Sequence, residues 1–410
     1  MGTTKFFQFR LAVLVVALTI LSTLNSGCSK KNPVSSQAEP PKIARADSSL
    51  SRPLLAYNHD PFYLDGSKAK EIRKRYRVVT MNIDVPRNSP TAWEELQGMI
   101  RLADIQVGAV DILNSGSSST DNINHQLVYN VDPGYRLYQP NGRGLSFQSQ
   151  QFPYMNPANN APLVNGERWN TLHPQHINEI VNRWGYDGVW ADNTWNNFPN
   201  AGLIQVDYDR DGSADPWNPG WLEGTQTLLR NTRGELGVKF IVFNGPGNPS
   251  EFAEANGRTM ERFPGNFGEF SGIVPALEHL QSWIWRGNKP QLSIMGFAGS
   301  SEADALFGVC CALLLGENCY LFYHPENNTP EWYQRVFGAP IGVPFEQGAS
   351  WLTRGDVLYR TYTGGIVAVN TGGVITSFDA GQDFLTLDGN VTRTVEIHPM
   401  AGAMLLKIAS

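Results

Sequence analysis

Charge is scarce in this chain. Only 17% of its 410 residues are Asp, Glu, Lys or Arg, where soluble domains carry about a quarter. The formal net charge is −6 and no long basic run occurs, which argues against a nucleic-acid partner. The seven histidines are scattered without an HExxH pair, and there is neither a G-x-S-x-G elbow nor a Walker loop. Zinc protease, serine esterase and NTPase chemistries therefore have no support. Cysteine is rare too. Cys28 stands alone, and Cys310, Cys311 and Cys319 fall in one apolar segment with no metal-type spacing. Adjacent cysteines rarely pair, so buried free thiols are expected, with a Cys319 disulfide as the alternative in an oxidising compartment.

What the chain does have is apolar and aromatic mass (41% and 11%) with 40 glycines and 26 prolines. That is enough for one large core and a smaller one, in a loop-rich extracytoplasmic enzyme or binder. Lys5 and Arg10 precede an apolar run over 11–24, too short and wrongly flanked for a stable membrane span. It ends in Asn25-Ser26-Gly27-Cys28. Residues 1–28 thus read as a signal peptide of the bacterial lipoprotein type with lipidation at Cys28. Cleavage as an ordinary secreted protein is the alternative. Residues 29–50, rich in Ser, Lys, Pro and Ala, read as a flexible tether. The expected location is the bacterial cell envelope, lipid-anchored at the outer membrane or cell surface.

The most informative stretch is GYDGVWADN, 185–193. It follows a helical stripe of Ile177, Ile180, Val181 and Trp184 and reads as a Gly turn, a short buried strand and then an acid, Asp192. An acid at the C-terminal tip of a parallel strand is where barrel enzymes place catalytic groups. A turn or helix-cap role for Asp192 is the alternative. Similar runs recur: LLAYN (54–58), RVVTMNID (77–84), QVGAVDILN (106–114), GVWAD (188–192), KFIVFNG (239–245), RTMERF (258–263), QLSIMGF (291–297) and CYLFYH (319–324). Helical patterns separate most of them. One is capped by Ser89-Pro90 and carries Trp93, Leu96, Met99 and Ile100; another spans about 221–236; a third, over 300–315, is apolar nearly all round. Eight strand–helix units predict an α/β fold, a TIM (β/α)8 barrel over 51–350. An open doubly wound sheet would carry a Gly-rich phosphate turn after its first strand, and none is present. Alternating runs with Gly-Gly and Asp-Gly turns over 351–410 predict a small antiparallel β-sandwich.

Polar groups end many of these strands: Asn58, Asp84, Asn114, Asp192, Asn244, Glu261 and His324. Their convergence on one rim would suit a polyhydroxylated ligand, although Asn and Asp also end strands for turn reasons. Glycoside hydrolysis needs two carboxylates. Asp192 is the candidate nucleophile and Glu261 the candidate acid/base, expected across the mouth from each other. An ion pair of Glu261 with Arg258 or Arg262 is its alternative, and Glu269, Glu278 and Asp84 are fallbacks. Asn58, Asp84, Trp190, Asn193, Trp195, Asn244 and His324 are candidate substrate contacts. Trp195, Trp217, Trp221, Trp283 and Trp285 are possible stacking platforms. In DYDRDGSAD, 207–215, carboxylates fall at positions 1, 3, 5 and 9 with Gly at 6, the start of a calcium loop; position 12 is Asn218 instead of Glu. A structural Ca2+ on Asp207, Asp209, Asp211 and Asp215 is expected, a hydrated acidic turn being the alternative.

GYDGVWADN, the strand at Tyr154-Met155-Asn156-Pro157, DYDRDGSAD, IVFNG, TMERF and a Gly-x-Pro-x-Gly segment together resemble the bacterial proteins grouped as hypothetical glycosyl hydrolase family 15. More distantly the chain is similar to polygalactosaminidase and melibiase-type barrels. The resemblance covers about 54–350. In melibiase-type barrels an acid ending strand four is the nucleophile and an acid ending strand six the proton donor. Carried over, it implies those roles for Asp192 and Glu261, with Glu here where those barrels use Asp. The expected function is a cell-envelope glycoside hydrolase acting on a poly- or oligosaccharide, as a monomer. A non-catalytic polysaccharide-binding lipoprotein is the rival.

Overall fold

The computed structural model describes residues 55–59, 61, 63–110, 131–147, 152–197, 204–217, 220–264, 269–297, 301–322, 332–345 and 351–408. The leader with Cys28, the tether, Asn114 and His324 lie outside them. Eight parallel strands close into a barrel in the spatial order β1-β8-β7-β6-β5-β4-β3-β2. They are β1 (Leu55–His59), β2 (Val78–Asn82), β3 (Ile100–Gln106), β4 (Gly188–Asp192), β5 (Phe240–Asn244), β6 (Gly257–Met260), β7 (Ser293–Gly296) and β8 (Cys319–Phe322). This is the TIM barrel that the strand–helix series predicts.

Helices cover the barrel's outside. These are α1 (Gly66–Arg75), α2 (Val85–Asn88), α3 (Pro90–Glu95), α4 (Trp169–Trp184), α5 (Gly220–Leu236), α6 (Ile273–Arg286), α7 (Glu302–Leu315) and, after β8, α8 (Tyr333–Phe337). Alternation along each strand sorts the apolar residues into two layers. Ala56, Val78, Leu102, Trp190, Val242, Ile294 and Tyr320 fill the interior. Val79, Ala103, Val189, Ile241, Met260 and Met295 face the helices. β8 packs against α7, which is buried nearly all round, including Cys310 and Cys311. Cys310, Cys311 and Cys319 are buried free thiols.

One strand lies elsewhere than the sequence pattern suggests. The third strand is Ile100–Gln106, not 106–114, and the helix before it stops at Glu95. Trp93, Leu96, Met99 and Ile100 mimic a helical stripe, but Gly98 takes a left-handed turn at φ 87° and ends the helix as C-terminal glycines do. Ile100 then starts the strand. α4 also begins earlier than its apolar stripe implies, at Trp169, and carries Pro174 inside it. Proline leaves the carbonyl four residues back unpaired; here that carbonyl, of Asn170, accepts the Asn231 side-chain amide from α5 at 2.8 Å.

The C-terminal antiparallel unit comprises β9 (Leu352–Arg354), β10 (Val357–Tyr362), β11 (Gly365–Asn370), β12 (Thr376–Leu385), β13 (Val391–Ile397) and β14 (Gly402–Lys407). The strands form one sheet in the order β9-β10-β11-β14-β12-β13. A bulge in β12 between Asp379 and Phe384, with Gly381 at φ 86°, bends that strand. The sheet folds over its own core of Val357, Ile366, Phe378, Phe384, Ile397 and Leu405. Its other face meets α7: Cys310 approaches the Ala403 carbonyl, and Arg360 donates to the Leu314 carbonyl at 3.1 Å.

His173 on α4 ties helix to barrel. It is fully buried, stacks on Trp169 with ring centroids 4.1 Å apart, and its Nε2 lies 3.0 Å from the Gln106 carbonyl. Burial, reinforced by nearby His176, lowers its pKa to about 3, while an unfolded histidine titrates near 6.5. Between those values the unfolded chain takes up a proton that the folded chain refuses. Stability is therefore full above about pH 6.5 and falls on acidification, by up to about 1.4 kcal/mol per pH unit from this group. Urea midpoints measured from pH 7.5 to 4.5 should fall less steeply for His173→Gln than for wild type; parallel curves would show that His173 does not set the slope.

Candidate active site

Strands β4, β5 and β6 are neighbours, and in register Ala191 faces Phe243 while Asn244 faces Thr259. Inward-pointing residues at their C-terminal ends are thus Asp192, Asn244 and, one step past β6, Glu261. The Asn244 amide nitrogen donates to Asp192 Oδ1 and to Glu261 Oε1, each at 2.8 Å. Both amide hydrogens are thereby used. Two such bonds from one nitrogen, spread by about 120°, set the two acceptor oxygens roughly 5 Å apart. Asp192 and Glu261 are therefore side by side on one arc of the rim, not across the mouth from each other. Strand order decides this: only β5 separates β4 from β6.

The two acids sit differently. Asp192 is half-buried at the end of a strand, and its carbonyl accepts the Val107 N–H at 2.9 Å. Glu261 is exposed and lies in the turn after β6. Arg258 does not pair with it. That guanidinium is fully buried on the helix-facing side of β6, makes two bonds to Glu269 (2.7 and 2.8 Å), and lies 2.8 Å from His279 Nε2. Burial, and secondarily Arg258, lowers the His279 pKa to about 4, so its Nε2 accepts from Arg258. Glu269 is committed to this buried pair, and Glu278 is exposed on α6; neither joins the rim pair.

The other sequence-derived contacts divide. Asn244 joins the carboxylates directly. Trp190 is buried in the barrel interior, its indole N–H donating to Thr259 Oγ1 at 2.7 Å; it is floor under the acids, not an exposed platform. Asn58 lies in the same interior, accepting from Thr80 Oγ1 at 2.9 Å. Asp84 is buried in the turn leading into α2. Asn193 adopts φ 55° and spends its amide on the Ala109 carbonyl at 3.2 Å, tying the end of β4 to the segment after β3. Trp195 is half-buried against Phe147, Tyr154 and Trp221, with centroids 5.3, 5.9 and 6.4 Å away. Trp221 and Trp283 are core residues, whereas Trp285 is exposed.

The misplaced third strand hid two inward residues. On β3, Asp104 and Gln106 share the face of Leu102 and stand opposite Trp190 and Asp192 in register. The alternation Leu102-Asp104-Gln106 would have shown them had the strand been placed at RLADIQ.

Of the predicted metal ligands, Asp207, Asp209 and Asp215 bring one oxygen each within 4.8 Å of one another. Asp211 does not join them; its Oδ1 accepts the Ser213 N–H at 2.7 Å and closes a turn.

No protein-family model matches the sequence, and no curated protein sequence does. Among solved structures the chain is similar to Eubacterium rectale Amy13B, with TM-score 0.48 and 11% identity over 91% of this chain and 100% of that one. It is also similar to the GH36 alpha-galactosidase AgaA of Geobacillus stearothermophilus (0.47, 8%, 87% and 56%). A third is the alpha-amylase of Geobacillus thermoleovorans (0.44, 9%, 86% and 98%). Likeness this faint identifies neither a family nor a chemistry.

The arrangement depends on two close backbone passages. A Cβ on Gly245 (φ 151°) would lie 2.0 Å from the Thr194 carbonyl oxygen, and one on Gly108 would lie 2.2 Å from that of Asn193. Gly245→Ala should cost about 2 kcal/mol or more in urea unfolding, from steric conflict with backbone. A loss within about 0.5 kcal/mol would mean that the turn after β4 yields without strain.

Proposed function

We propose that this protein is a retaining glycoside hydrolase acting on a poly- or oligosaccharide at the cell envelope, held there through lipidated Cys28. The observation that carries this reading is the shared amide: Asp192 and Glu261 held by Asn244 at the C-terminal mouth of a (β/α)8 barrel. Retaining glycosidases hold their carboxyl groups about 5–5.5 Å apart, whereas inverting ones leave about 6.5–9.5 Å for a water between them. Acceptor oxygens roughly 5 Å apart favour the retaining spacing.

Asp192, half-buried at the end of β4, attacks the anomeric carbon and forms a glycosyl ester as the C–O bond to the leaving group breaks. Glu261 gives its proton to the departing oxygen. It then takes a proton from the water that cleaves the ester, which returns Asp192 as carboxylate and leaves Glu261 protonated. Exposure on a turn suits Glu261 to that exchange with water. Asn244 positions both acids, and the Trp190 ring with Thr259 closes the floor beneath them. The rival reading, a binder without chemistry, would use the same rim and leave the carboxylate spacing without a purpose.

Asp192→Asn keeps shape and removes the nucleophilic charge, so hydrolysis should fall by several orders of magnitude while sugar binding persists. Glu261→Gln should abolish action on poor leaving groups and spare activated aryl glycosides, which depart without protonation. Asn244→Ala should lower kcat about 10- to 100-fold with KM little changed, since it frees the acids without removing them. Saccharides found by glycan-array binding, and activated aryl glycosides of the same sugars, are the substrates for these assays. Binding without turnover by the wild-type protein would favour the binder. Inverted product stereochemistry by NMR would refute retention.

A further inference from the structure

We infer that the loop between β4 and α5 holds a divalent metal ion on Asp207, Asp209 and Asp215, and that its ligand chemistry selects calcium. The motif alone would permit a hydrated acidic turn. Three observations go beyond it.

First, each carboxylate commits one oxygen to the loop's own backbone. Asp207 Oδ2 accepts the Gly212 N–H at 3.0 Å, Asp209 Oδ1 the Asp211 N–H at 3.2 Å, and Asp215 Oδ2 the Tyr208 N–H. The second oxygen of each is left to serve as ligand. Second, Asp207 is only 3% exposed, and its Oδ1 is buried with no hydrogen-bond partner. Burying an unmatched carboxylate oxygen costs several kcal/mol unless a cation meets it. Third, the basic side chain within the loop is engaged elsewhere. Arg210 donates to the Gly134 and Arg136 carbonyls and stacks over the Tyr138 ring, 4.4 Å from its centroid. Among the described residues no lysine or arginine forms an ion pair with Asp207, Asp209 or Asp215.

Three carboxylate oxygens within 4.8 Å of one another fit around calcium, whose oxygen ligands stand about 2.3–2.6 Å from the ion, with water or carbonyl groups completing six to eight. Magnesium demands an octahedron at about 2.0–2.1 Å and dehydrates reluctantly, so a loop that offers three carboxylate oxygens favours calcium.

The site also has a structural reach. The loop pairs with the 135–145 segment through the Asp207 N–H and the Tyr138 carbonyl at 2.9 Å. Tyr208, between two ligands, packs in the cluster of Leu137, Tyr154 and Trp221 that supports Trp195. An ion here would brace the wall beside Asp192 without entering the chemistry.

The test uses the full protein stripped with EDTA and desalted. About 1 mM CaCl2, a concentration suited to extracellular calcium modules, should raise the melting temperature by several degrees, because a ligand of the native state alone stabilises it. Asp209→Asn, at an exposed residue whose loss the fold tolerates, should weaken calcium affinity by calorimetry at least tenfold. Asp207→Asn should abolish the thermal shift, and Asp211→Asn should leave it intact. No saturable calcium binding up to about 10 mM, or equal binding by the Asp209→Asn variant, would overturn the site. An equal shift with MgCl2 would overturn the choice of calcium.

Discussion

Closing eight parallel strands into a barrel is the constraint on which the rest of this molecule depends. A closed sheet has no edge, and its hydrogen-bond register fixes which residues share a level. The stagger from β4 to β6 brings Asp192, Asn244 and the residue after β6 onto one arc of the rim. Inside the barrel the same alternation stacks apolar side chains under them, and the Trp190–Thr259 bond ends that stack just beneath the acids. On such a scaffold strand spacing and one shared amide bring the two carboxylates together.

The polar groups on the two faces of β6 have different partners. Arg258, Glu269 and His279 form a part-buried network on the helix side of β6, where removing one partner would strand the others. Asp192 and Glu261, on the opposite side, both accept from the Asn244 amide. An amide orients a carboxylate without neutralising it. Location on the inner or the outer face thus gives Glu261 and Glu269 different partners.

The excursions after β3 and β4 form the flank of the mouth. Close backbone contact at Gly108 and Gly245 draws the end of β4 against its neighbours, and the aromatic cluster around Tyr154 and Trp221 fills the space outside it. The acidic loop at 207–215 belongs to that flank, so loop order and site geometry are coupled through packing.

The sequence by itself determined much of the fold. Helical stripes, glycine turns and β-rich runs marked seven of the eight barrel strands close to their observed positions, because buried parallel strands need continuous apolar runs. It also singled out Asp192 and Glu261, since an acid following such a run stands out against an apolar background. The third strand was lost because Trp93, Leu96, Met99 and Ile100 follow a helical spacing across the break at Gly98, and Asp104 and Gln106 were lost with it. Only tertiary structure decided that Arg258 turns outward to Glu269, that Trp195 packs into a cluster, that Asp211 stands apart from the other three acids of its loop, and that one asparagine joins both carboxylates. Those outcomes rest on strand register and side-chain direction. Both come from contacts between segments distant in the chain, and neither is written in the spacing of residues along it.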